Sequence, residues 1–336
     1  MKKSVCILFG GKSEEYEVSL RSAYSVLCSI DTERYEIAKI GITRDGKWLR
    51  FLGSNEDILS DRWELSALPV HIDFSTGCVD NLILDTVFFP VMHGSYCEDG
   101  RLQGILESIG ARYIGCHSVS SFLCMDKHLT KIIASENSIP TARGLCVRKN
   151  NLDFKKICKD VSVFAYPVFV KPVSSGSSRG ASLVKNESEL FDAIMNALEF
   201  SDSALIEEYI KGIECEIGAL EVDGNVIFSE VGSLDYTSDF YDYDTKYLSN
   251  KAKYSIPAVL PDHITDKIKE YAKKLYSIFG CRHLSRLDFF VTDSGKIYFN
   301  EINTMPGFTK TSMFPMLFAH SGYSFTEIID ILLNCY

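Results

Sequence analysis

Hydrophobic and polar positions in the first third of the chain alternate between two kinds of pattern. Short continuous apolar runs, typical of buried parallel strands, are followed by stretches with helical periodicity. This alternation predicts an α/β layer with a parallel sheet, extending to about residue 123. The predicted strands cover 3–10, 35–43, 46–52 and 84–94, and the predicted helices cover 15–30 and 99–110.

The pattern changes in the middle of the chain. Residues 161–186 (VSVFAYPVFVKPVSSGSSRGASLVKN) predict two strands joined by a Gly/Ser loop, and a helix follows at 186–201. From about residue 213, strands surround one clear helix at 264–280. The loop at 235–255 is too long for a compact domain unless it works as a lid. We therefore predict three units, over 1–123, 124–212 and 213–336.

The segment RLDFFVTDSGKIYFNEINTMPG (286–307) places acidic residues inside strand-like apolar runs. A two-residue turn at Ser294-Gly295 would set Asp288 opposite Glu301. The face that includes them would hold a cation, two carboxylates and an amide: Arg286, Asp288, Glu301 and Asn303. The other face would be mostly core: Leu287, Phe289, Val291, Tyr298, Asn300 and Ile302.

Such charged residues often form only a solvated outer face. Two directly opposed carboxylates repel each other, however, unless positive charge lies between them. Oxygen ligands of this kind suit Mg²⁺, which one or two carboxylates and substrate phosphates commonly hold. We favour a metal site on this face of the hairpin.

Composition narrows the class of protein. The chain has 336 residues and a formal net charge of −10, which argues against nucleic acid or an anionic membrane as the main partner. The apolar run at the N-terminus is too short for a signal peptide, and no run approaches a membrane span. None of the eleven cysteines forms a CxxC pair. We expect a soluble cytoplasmic protein with reduced thiols.

Several other segments carry groups that could bind a nucleotide or a small substrate. Lys171 ends a strand before the small residues 174–180, whose N–H groups could close over phosphates, although such a turn is more often a flexible hairpin. Lys127 at a helix start is uninformative alone. Acids at 207, 208, 214 and 216 could bind a ribose or form a charged edge. His93, Glu15 and Ser19 follow strand ends, where α/β sheets bind ligands, but His93 could equally be structural.

The order of these motifs resembles that of the D-alanine–D-alanine ligases of the ATP-grasp superfamily. The motifs are GGKSEEYEVSL, HGSYCEDGRLQG, MDKHLTK, VKPVSSGSSRG, LIEEYIKGIE, RLDFF and NEINTMPGFT, and they span nearly the whole chain. The resemblance implies an α/β ATP-grasp fold of three domains. It also implies a homodimer that uses ATP and two Mg²⁺ ions, with Mn²⁺ possible, to join two D-alanines for peptidoglycan synthesis.

The resemblance also implies roles for single residues in nucleotide and metal binding. Asp288, Glu301 and Asn303 match the metal ligands. The phosphate-contacting lysines correspond to Lys127, Lys171 and Lys246. Glu207 and Glu214 match acids that hold the adenine and the ribose, with the main chain of Glu208, Tyr209 and Ile210 beside the adenine.

Further roles concern the two amino acids. Glu15 matches the anchor of the first ammonium group, with Ser177 and Tyr247 as its network partners and His93 nearby. Ser19 lies near the same helix start. Arg286 and the Gly307 N–H match the oxyanion donors. Ser312 matches the group that holds the second carboxylate, and Met313 follows it.

Departures from the family pattern bear on the loops and on specificity. Cys97 and His283 stand where the family usually has glycine. Relatives that form D-Ala-D-Ser commonly carry an arginine where this chain has Met313, and lactate-forming relatives replace the tyrosine that matches Tyr247. Both points favour D-alanine as the second substrate. The N-terminal half also resembles the serine-ligase branch of glycopeptide resistance, so that activity is the alternative, and a non-catalytic nucleotide-binding regulator is a third reading.

Overall fold

The structure, a computed structural model, describes residues 2–80, 82, 85–235 and 253–336. Three larger sheets follow one another along the chain, and a separate two-stranded ribbon lies within the region of the first. Most of the proposed lid at 235–255, including Lys246 and Tyr247, lies outside the described residues. The domain boundaries near 123 and 212 stay predictions.

The first sheet lies within the first 113 residues. The strands of this region are β1 (Lys3–Gly10), β2 (Tyr35–Ile42), β3 (Trp48–Arg50), β4 (Leu68–Pro69), β5 (Ile72–Asp73), β6 (Cys78–Val79), β7 (Val87–Pro90) and β8 (Arg112–Tyr113). The sheet has the order β4-β3-β2-β1-β7-β8, and β5 and β6 form the separate ribbon.

The predicted parallel pairing holds for the centre of this sheet. Strand β1 pairs in parallel with β2 and β7, and β7 pairs in parallel with β8. Strand β3, predicted as part of the parallel layer, instead pairs antiparallel with β2, as does β4 with β3. The connection over residues 43–47 is a tight turn, and a parallel pair would need a crossover of a dozen or more residues.

The helices around the first sheet bury an apolar stripe against it. In α1, for example, Leu20, Ala23 and Leu27 recur at helical spacing and are buried. The helices of this part of the chain are α1 (Tyr16–Leu27), α2 (Asn55–Leu59), α3 (Arg101–Ser108) and α4 (Ser118–Met125).

The second sheet is antiparallel throughout and has the order β11-β10-β12-β9. Its strands are β9 (Gly144–Arg148), β10 (Val168–Pro172), β11 (Ser182–Val184) and β12 (Ser203–Glu208). Its helices are α5 (Lys127–Glu136), α6 (Phe154–Val161) and α7 (Glu187–Phe200). The hairpin and the helix predicted for this part are confirmed.

The third sheet is also antiparallel, with the order β16-β15-β13-β17-β18 and β14 paired to β13. Its strands are β13 (Ile213–Val222), β14 (Asn225–Phe228), β15 (Gly232–Asp235), β16 (Lys253–Ser255), β17 (Leu284–Val291) and β18 (Ile297–Asn303). The last helices are α8 (Asp262–Ile278), α9 (Met313–His320) and α10 (Phe325–Leu333).

One apolar core joins the two ends of the chain. Val5, Ile7 and Phe9 of β1 share a cluster of buried residues with Phe318 of α9 and Leu332 of α10. The last two helices therefore help to cover the first sheet, which fixes it relative to the third. Among the described residues, no helix combines the length and the apolar character needed to cross a membrane.

Candidate active site

Two adjoining cavities lie between the sheets. The first is lined by β10, β12, β17 and β18, and the second by loops of the first sheet and by the residues after β18. Five residues line both cavities: Lys127, Ser175, Gly176, Ser177 and Glu301. A group transferred from a ligand in one cavity to a ligand in the other would pass these residues.

The hairpin of β17 and β18 carries the predicted metal ligands. Asp288 lies opposite Glu301 and Arg286 opposite Asn303, as predicted. The turn, however, has three residues rather than two, because Thr292 N–H donates to the Lys296 carbonyl. A bulge after Asp288 compensates for the extra residue and restores the predicted pairing.

Because of the three-residue turn and the bulge, some side chains of β18 lie on the opposite face from the one predicted. Phe299, not Asn300, pairs with Phe289, and both phenylalanines are buried. Tyr298 and Asn300 instead line the first cavity. The prediction that they belong to the core face was wrong. The extra residue in the turn shifts the pairing by one, which reverses the faces of side chains between the turn and the bulge.

The carboxylates of the hairpin are held by cations of the chain itself. Both Asp288 oxygens accept from Arg286, with Nε at 2.8 Å from Oδ1 and Nη2 at 2.7 Å from Oδ2. Glu301 lies 3.3 Å from Lys127 Nζ. Asn303 Oδ1 accepts from the Met305 N–H at 2.9 Å and keeps a second lone pair.

These donors fit a divalent cation. Two carboxylates and one amide oxygen come from one face of a rigid hairpin, and hard oxygen ligands are what Mg²⁺ requires. Asp288 and Glu301 line the first cavity, and Glu301 and Asn303 line the second. The three residues would therefore hold a cation at the junction of the cavities.

Two acids of β13 lie next to this group. Glu214, Glu216 and Asp288 each have a carboxylate oxygen within 4.8 Å of the others. Glu216 is buried and lies 3.0 Å from Arg286 Nε. From the sequence, Glu216 is one of four acids that could bind a ribose or form a charged edge. Glu216 pairs with Asp288 on the adjacent strand β17. This pairing cannot be read from local sequence, because the two strands lie far apart in the chain.

Three lysines form the polar end of the first cavity. Lys127 Nζ donates to the Ser175 carbonyl at 2.6 Å. Lys171 Nζ lies 2.8 Å from Glu207 Oε2, and Lys131 Nζ contacts the other oxygen of the same carboxylate. Lys131 was missed in the sequence, although it follows Lys127 by one helical turn and so shares its face.

Glu207 lies behind the lysines rather than in the cavity. It is only 3% exposed. Burial alone would raise the pKa of Glu207, but Lys131 and Lys171 outweigh it and hold the pKa below its usual range. Burial lowers the pKa of Lys131 to about 8, against the opposing effect of Glu207. The predicted adenine contact does not fit this geometry, whereas a role in holding the lysines does.

The far end of the first cavity can take a flat ring. Phe169, Phe290 and Tyr298 line it beside residues 208–210. The Glu208 side chain is turned to Arg143, whose Nε and Nη2 donate to it at 2.9 and 2.8 Å. This leaves the main chain of 208–210 beside the ring site, and Glu214 also lines the cavity.

The Gly/Ser loop between β10 and β11 covers the junction. Ser177 and Ser178 have φ angles of 53° and 55°, so consecutive residues are left-handed. Such turns gather N–H groups into an anion-binding concavity. Arg179 Nη1 lies 2.9 Å from Glu14, which connects the loop to the first sheet.

The inner end of the second cavity is acidic. Glu15 is buried close to the loops at Gly94 and Gly176. Gly94 has φ +77°, and a Cβ there would lie 2.4 Å from Ser13 Oγ and 3.0 Å from Glu15 Oε2. Glycine at this position therefore makes room for the Glu15 carboxylate.

His93 lies beside Glu15 and is held on both ring nitrogens. Nε2 lies 3.0 Å from Ser22 Oγ, and Nδ1 lies 3.0 Å from the Met305 carbonyl and 3.8 Å from Glu98. Burial would lower the pKa of His93, but the Glu98 and Glu15 carboxylates outweigh it and the pKa is raised. Ser22 and Glu98 were not picked out in the sequence.

Ser19 does not belong to the cavity. It is completely buried, accepts from the Gly10 N–H at 2.8 Å and donates to the Val91 carbonyl at 2.6 Å. It ties together the ends of β1 and β7, which places the two loops that follow them. The predicted substrate contact of Ser19 was wrong.

The outer end of the second cavity lies at the start of α9. Ser312 is the N-cap residue, and its Oγ accepts from the Thr309 N–H at 3.1 Å. Gly307 lines the cavity next to it. Met313 is buried in a small apolar cluster with Leu234 and Leu317.

Cys97 and His283 stand where the family usually has glycine, and both are buried. Cys97 is fully buried, and its Sγ lies 2.8 Å from where a Cβ on Gly11 would be. His283 has φ 61°, and its Nδ1 accepts from the Gly115 N–H at 3.0 Å. His283 thus connects the third sheet to the loop after β8.

Comparison with known proteins gives the family. Family models described as the D-ala D-ala ligase N-terminus and C-terminus match residues 4–116 and 133–334. A D-alanine–D-alanine ligase of Caldicellulosiruptor bescii is 42% identical, with 99% of this chain and 94% of that protein covered. One of Acetivibrio thermocellus is 40% identical, with 99% and 95% covered.

Solved structures extend the comparison to the fold. The VanG D-Ala:D-Ser ligase from Enterococcus faecalis has a TM-score of 0.90 and 36% identity, with 99% of both chains covered. The D-alanine-D-alanine ligase from Coxiella burnetii has a TM-score of 0.87 and 30% identity, covering 99% of this chain and 93% of that one. This chain has the ATP-grasp fold and belongs to the D-alanine–D-alanine ligase family, whose members are ATP-dependent ligases that use a divalent metal.

Proposed function

We propose that this protein joins two D-alanines to D-alanyl-D-alanine for peptidoglycan precursors, releasing ADP and phosphate. The junction of the two cavities at Lys127, Glu301 and the loop 175–177 carries this proposal. A nucleotide in the first cavity and two amino acids in the second would meet there.

The nucleotide is placed by the chemistry of the first cavity. The adenine would lie among Phe169, Phe290 and Tyr298 and bond the main chain of 208–210. Glu214 would accept from the ribose hydroxyls. Lys127 and Lys171 would contact the phosphates, and Glu207 with Lys131 would keep Lys171 in place.

The metal would be held by Asp288, Glu301 and Asn303 at the phosphates. A divalent cation supplies charge neutralisation on the transferred phosphoryl group. We propose two Mg²⁺ ions, replaceable by Mn²⁺. Counting Mn²⁺ bound with a non-hydrolysable ATP analogue, by electron paramagnetic resonance, tests the number; one ion at saturation contradicts it.

The first step needs a carboxylate aimed at the γ-phosphate. Glu15 would hold the ammonium group of the first D-alanine at the inner end, so that its carboxylate faces the junction. A carboxylate oxygen attacks the γ-phosphorus and ADP leaves, giving an acyl phosphate. Lys127 and the loop N–H groups would offset the charge while positioning lowers the barrier.

The second step needs an amine and an oxyanion site. Ser312 and the N-terminus of α9 would hold the second D-alanine carboxylate, because a helix N-terminus favours an anion. Its amine attacks the acyl carbon. Arg286 and the Gly307 N–H would stabilise the oxyanion, after which phosphate leaves.

The second amino acid has an apolar wall. Met313 and Leu234 line that end of the cavity, and their side chains offer a serine hydroxyl no acceptor stronger than a thioether sulfur. This favours D-alanine, although an apolar pocket rejects an added hydroxyl only by about 100-fold. D-Ala-D-Ser synthesis stays the alternative because the Enterococcus faecalis neighbour is described as a D-Ala:D-Ser ligase.

Product analysis decides between these activities. The protein is given ATP, Mg²⁺ and either D-alanine alone or equimolar D-alanine and D-serine, and the dipeptides are separated by mass. We expect D-Ala-D-Ala as the main product in both mixtures. Mostly D-Ala-D-Ser would support the alternative, and ATP binding without any dipeptide would support a regulatory protein.

Assembly and location complete the proposal. We propose a homodimer, supported by the family resemblance and by Leu52, Leu65 and Leu68, which are exposed beside the edge strand β4. Light scattering tests it, and a monomeric mass at micromolar concentration contradicts it. We also propose a cytoplasmic location, because the substrates are ATP and free amino acids; recovery of the protein in the membrane fraction of lysed cells contradicts it.

A further inference from the structure

Glu216 is a buried acid that the proposed reaction does not yet use. It lies on β13 directly opposite Asp288 and is 3% exposed. Its Oε2 is 3.0 Å from Arg286 Nε. We propose that Glu216 is a positioning residue that holds the Arg286 guanidinium at the substrate cavity, so that Asp288 can serve the metal. This inference rests on the proposed function.

The hydrogen bonds of Arg286 show why a second anchor matters. Nε and Nη2 both donate to Asp288. The bonds to Asp288 use Nε and Nη2 and not Nη1, and Arg286 lines the second cavity. This orientation leaves Nη1 as the donor for a developing oxyanion.

In the proposed reaction, the two oxygens of Asp288 would bind both the Arg286 guanidinium and the metal ion. A carboxylate bound to a divalent cation loses part of its attraction for a guanidinium, and the cation repels the guanidinium as well. Arg286 is 7% exposed, so water cannot replace a lost partner easily. Glu216 approaches from the neighbouring strand and keeps its contact with Nε whatever Asp288 binds.

The strand pairing makes this anchor rigid. Glu216 pairs with Asp288, and Gly218 pairs with Arg286, in one continuous antiparallel ladder of β13 and β17. The two carboxylates also balance the buried cation. Burial alone would lower the pKa of Arg286, but Asp288 and Glu216 outweigh it and the pKa is raised.

The first test uses kinetics. Glu216→Gln keeps the shape but removes the negative charge beside Arg286 Nε, whereas Glu216→Ala removes the whole side chain. We expect kcat to fall about 10-fold in the first and about 100-fold in the second, since small misplacements cost such factors. The KM for ATP should stay within about threefold. Equal losses in both variants, or a parallel rise in the ATP KM, would overturn the inference.

A double-mutant cycle tests whether Glu216 acts through Arg286. In an Arg286→Lys background, Glu216→Ala should lower kcat by less than about threefold, because the group it positions is already gone. A full additive loss would overturn the proposal. Glu270→Gln, an exposed acid of α8, controls for the change in net charge and should leave kcat unchanged.

A spectroscopic readout separates this inference from the proposed activity. The Arg286 Nε–H resonance, identified by its loss in Arg286→Lys, is followed by NMR in the ligand-free protein. It should shift in Glu216→Gln and stay in place in Glu270→Gln, whether or not the wild type makes dipeptide. An unshifted resonance would overturn the proposal, as would loss of one Mn²⁺ site in Glu216→Gln, which would make Glu216 a metal ligand.

Discussion

At the scale of single residues, Glu207 shows how a charged group can act without touching the ligand. Its carboxylate lies between the Lys131 and Lys171 ammonium groups. A buried carboxylate must be paired, and each lysine gains a fixed position from the same pair. Glu207 therefore arranges the phosphate-facing lysine from behind the cavity.

Replacing Lys131 tests this arrangement. In Lys131→Met the apolar stem remains, but Glu207 keeps only Lys171 and draws it away from the phosphates. We expect the KM for ATP to rise about tenfold, because roughly one charged hydrogen bond to the phosphates is lost. We expect kcat to change by less than about threefold. Steady-state kinetics with varied ATP measures both.

The matched control is Lys267→Met, which removes a solvent-exposed lysine of α8. It should leave both constants unchanged. An unchanged ATP KM in Lys131→Met would show that Lys171 needs no support from this pair.

The sequence predicted residues that lie at the ends of strands but not those that support them. Asp288, Glu301 and Lys171 interrupt apolar runs, so each attracts notice locally. Lys131 and Glu216 are paired with residues far away in the chain, Glu207 and Arg286. Ser19 failed for the opposite reason, because proximity to a helix start does not show which way a hydroxyl points.

At the scale of elements, the hairpin of β17 and β18 reached the predicted pairing by an unpredicted route. A three-residue turn shifts the pairing by one residue, and the bulge beside Asp288 shifts it back. The pairing of Asp288 with Glu301 is therefore the same in both cases. Only the residues between turn and bulge, such as Tyr298 and Phe299, exchange faces.

Two alanine substitutions test the bulge. Phe299→Ala should lower the free energy of unfolding by about 3–5 kcal/mol, because it opens a cavity in the core. Tyr298→Ala should change it by less than about 1 kcal/mol and raise the KM for ATP, because Tyr298 lines the nucleotide cavity. Urea unfolding and ATP kinetics measure these effects. The reverse pattern would fit a hairpin without the bulge.

At the scale of the whole molecule, the three larger sheets are joined by contacts that local patterns do not encode. The alternation of strands and helices in the first third of the chain predicted the α/β class. It could not predict that Phe318 and Leu332 share a core with β1. It also could not predict that His283 binds the loop after β8, since both depend on residues far apart in sequence.

The contact between His283 and the loop after β8 makes the stability of the folded protein depend on pH. Its Nδ1 accepts from the Gly115 N–H, so that nitrogen carries no proton in the folded protein. Burial lowers the pKa of His283 to about 4, against about 6.5 in an unfolded chain. The unfolded state therefore binds the proton first, and stability is lost as pH falls from 6.5 towards 4.

Unfolding at two pH values measures this contribution. Between pH 7.5 and pH 5.0 the wild type should lose about 2 kcal/mol more than His283→Gly, in which glycine fits the left-handed backbone. His263→Gln, which removes an exposed histidine, should lose as much as the wild type. Equal losses in all three proteins would mean that His283 does not carry the effect.

The most direct test of the whole account follows an oxygen atom. D-alanine labelled with ¹⁸O in its carboxylate is given with ATP and Mg²⁺, and the released phosphate is analysed by mass spectrometry. If the first carboxylate attacks the γ-phosphate at the junction of the two cavities, one phosphate is released for each dipeptide formed, and each released phosphate carries one ¹⁸O atom. Unlabelled phosphate released together with dipeptide would contradict the acyl phosphate and the site built around it.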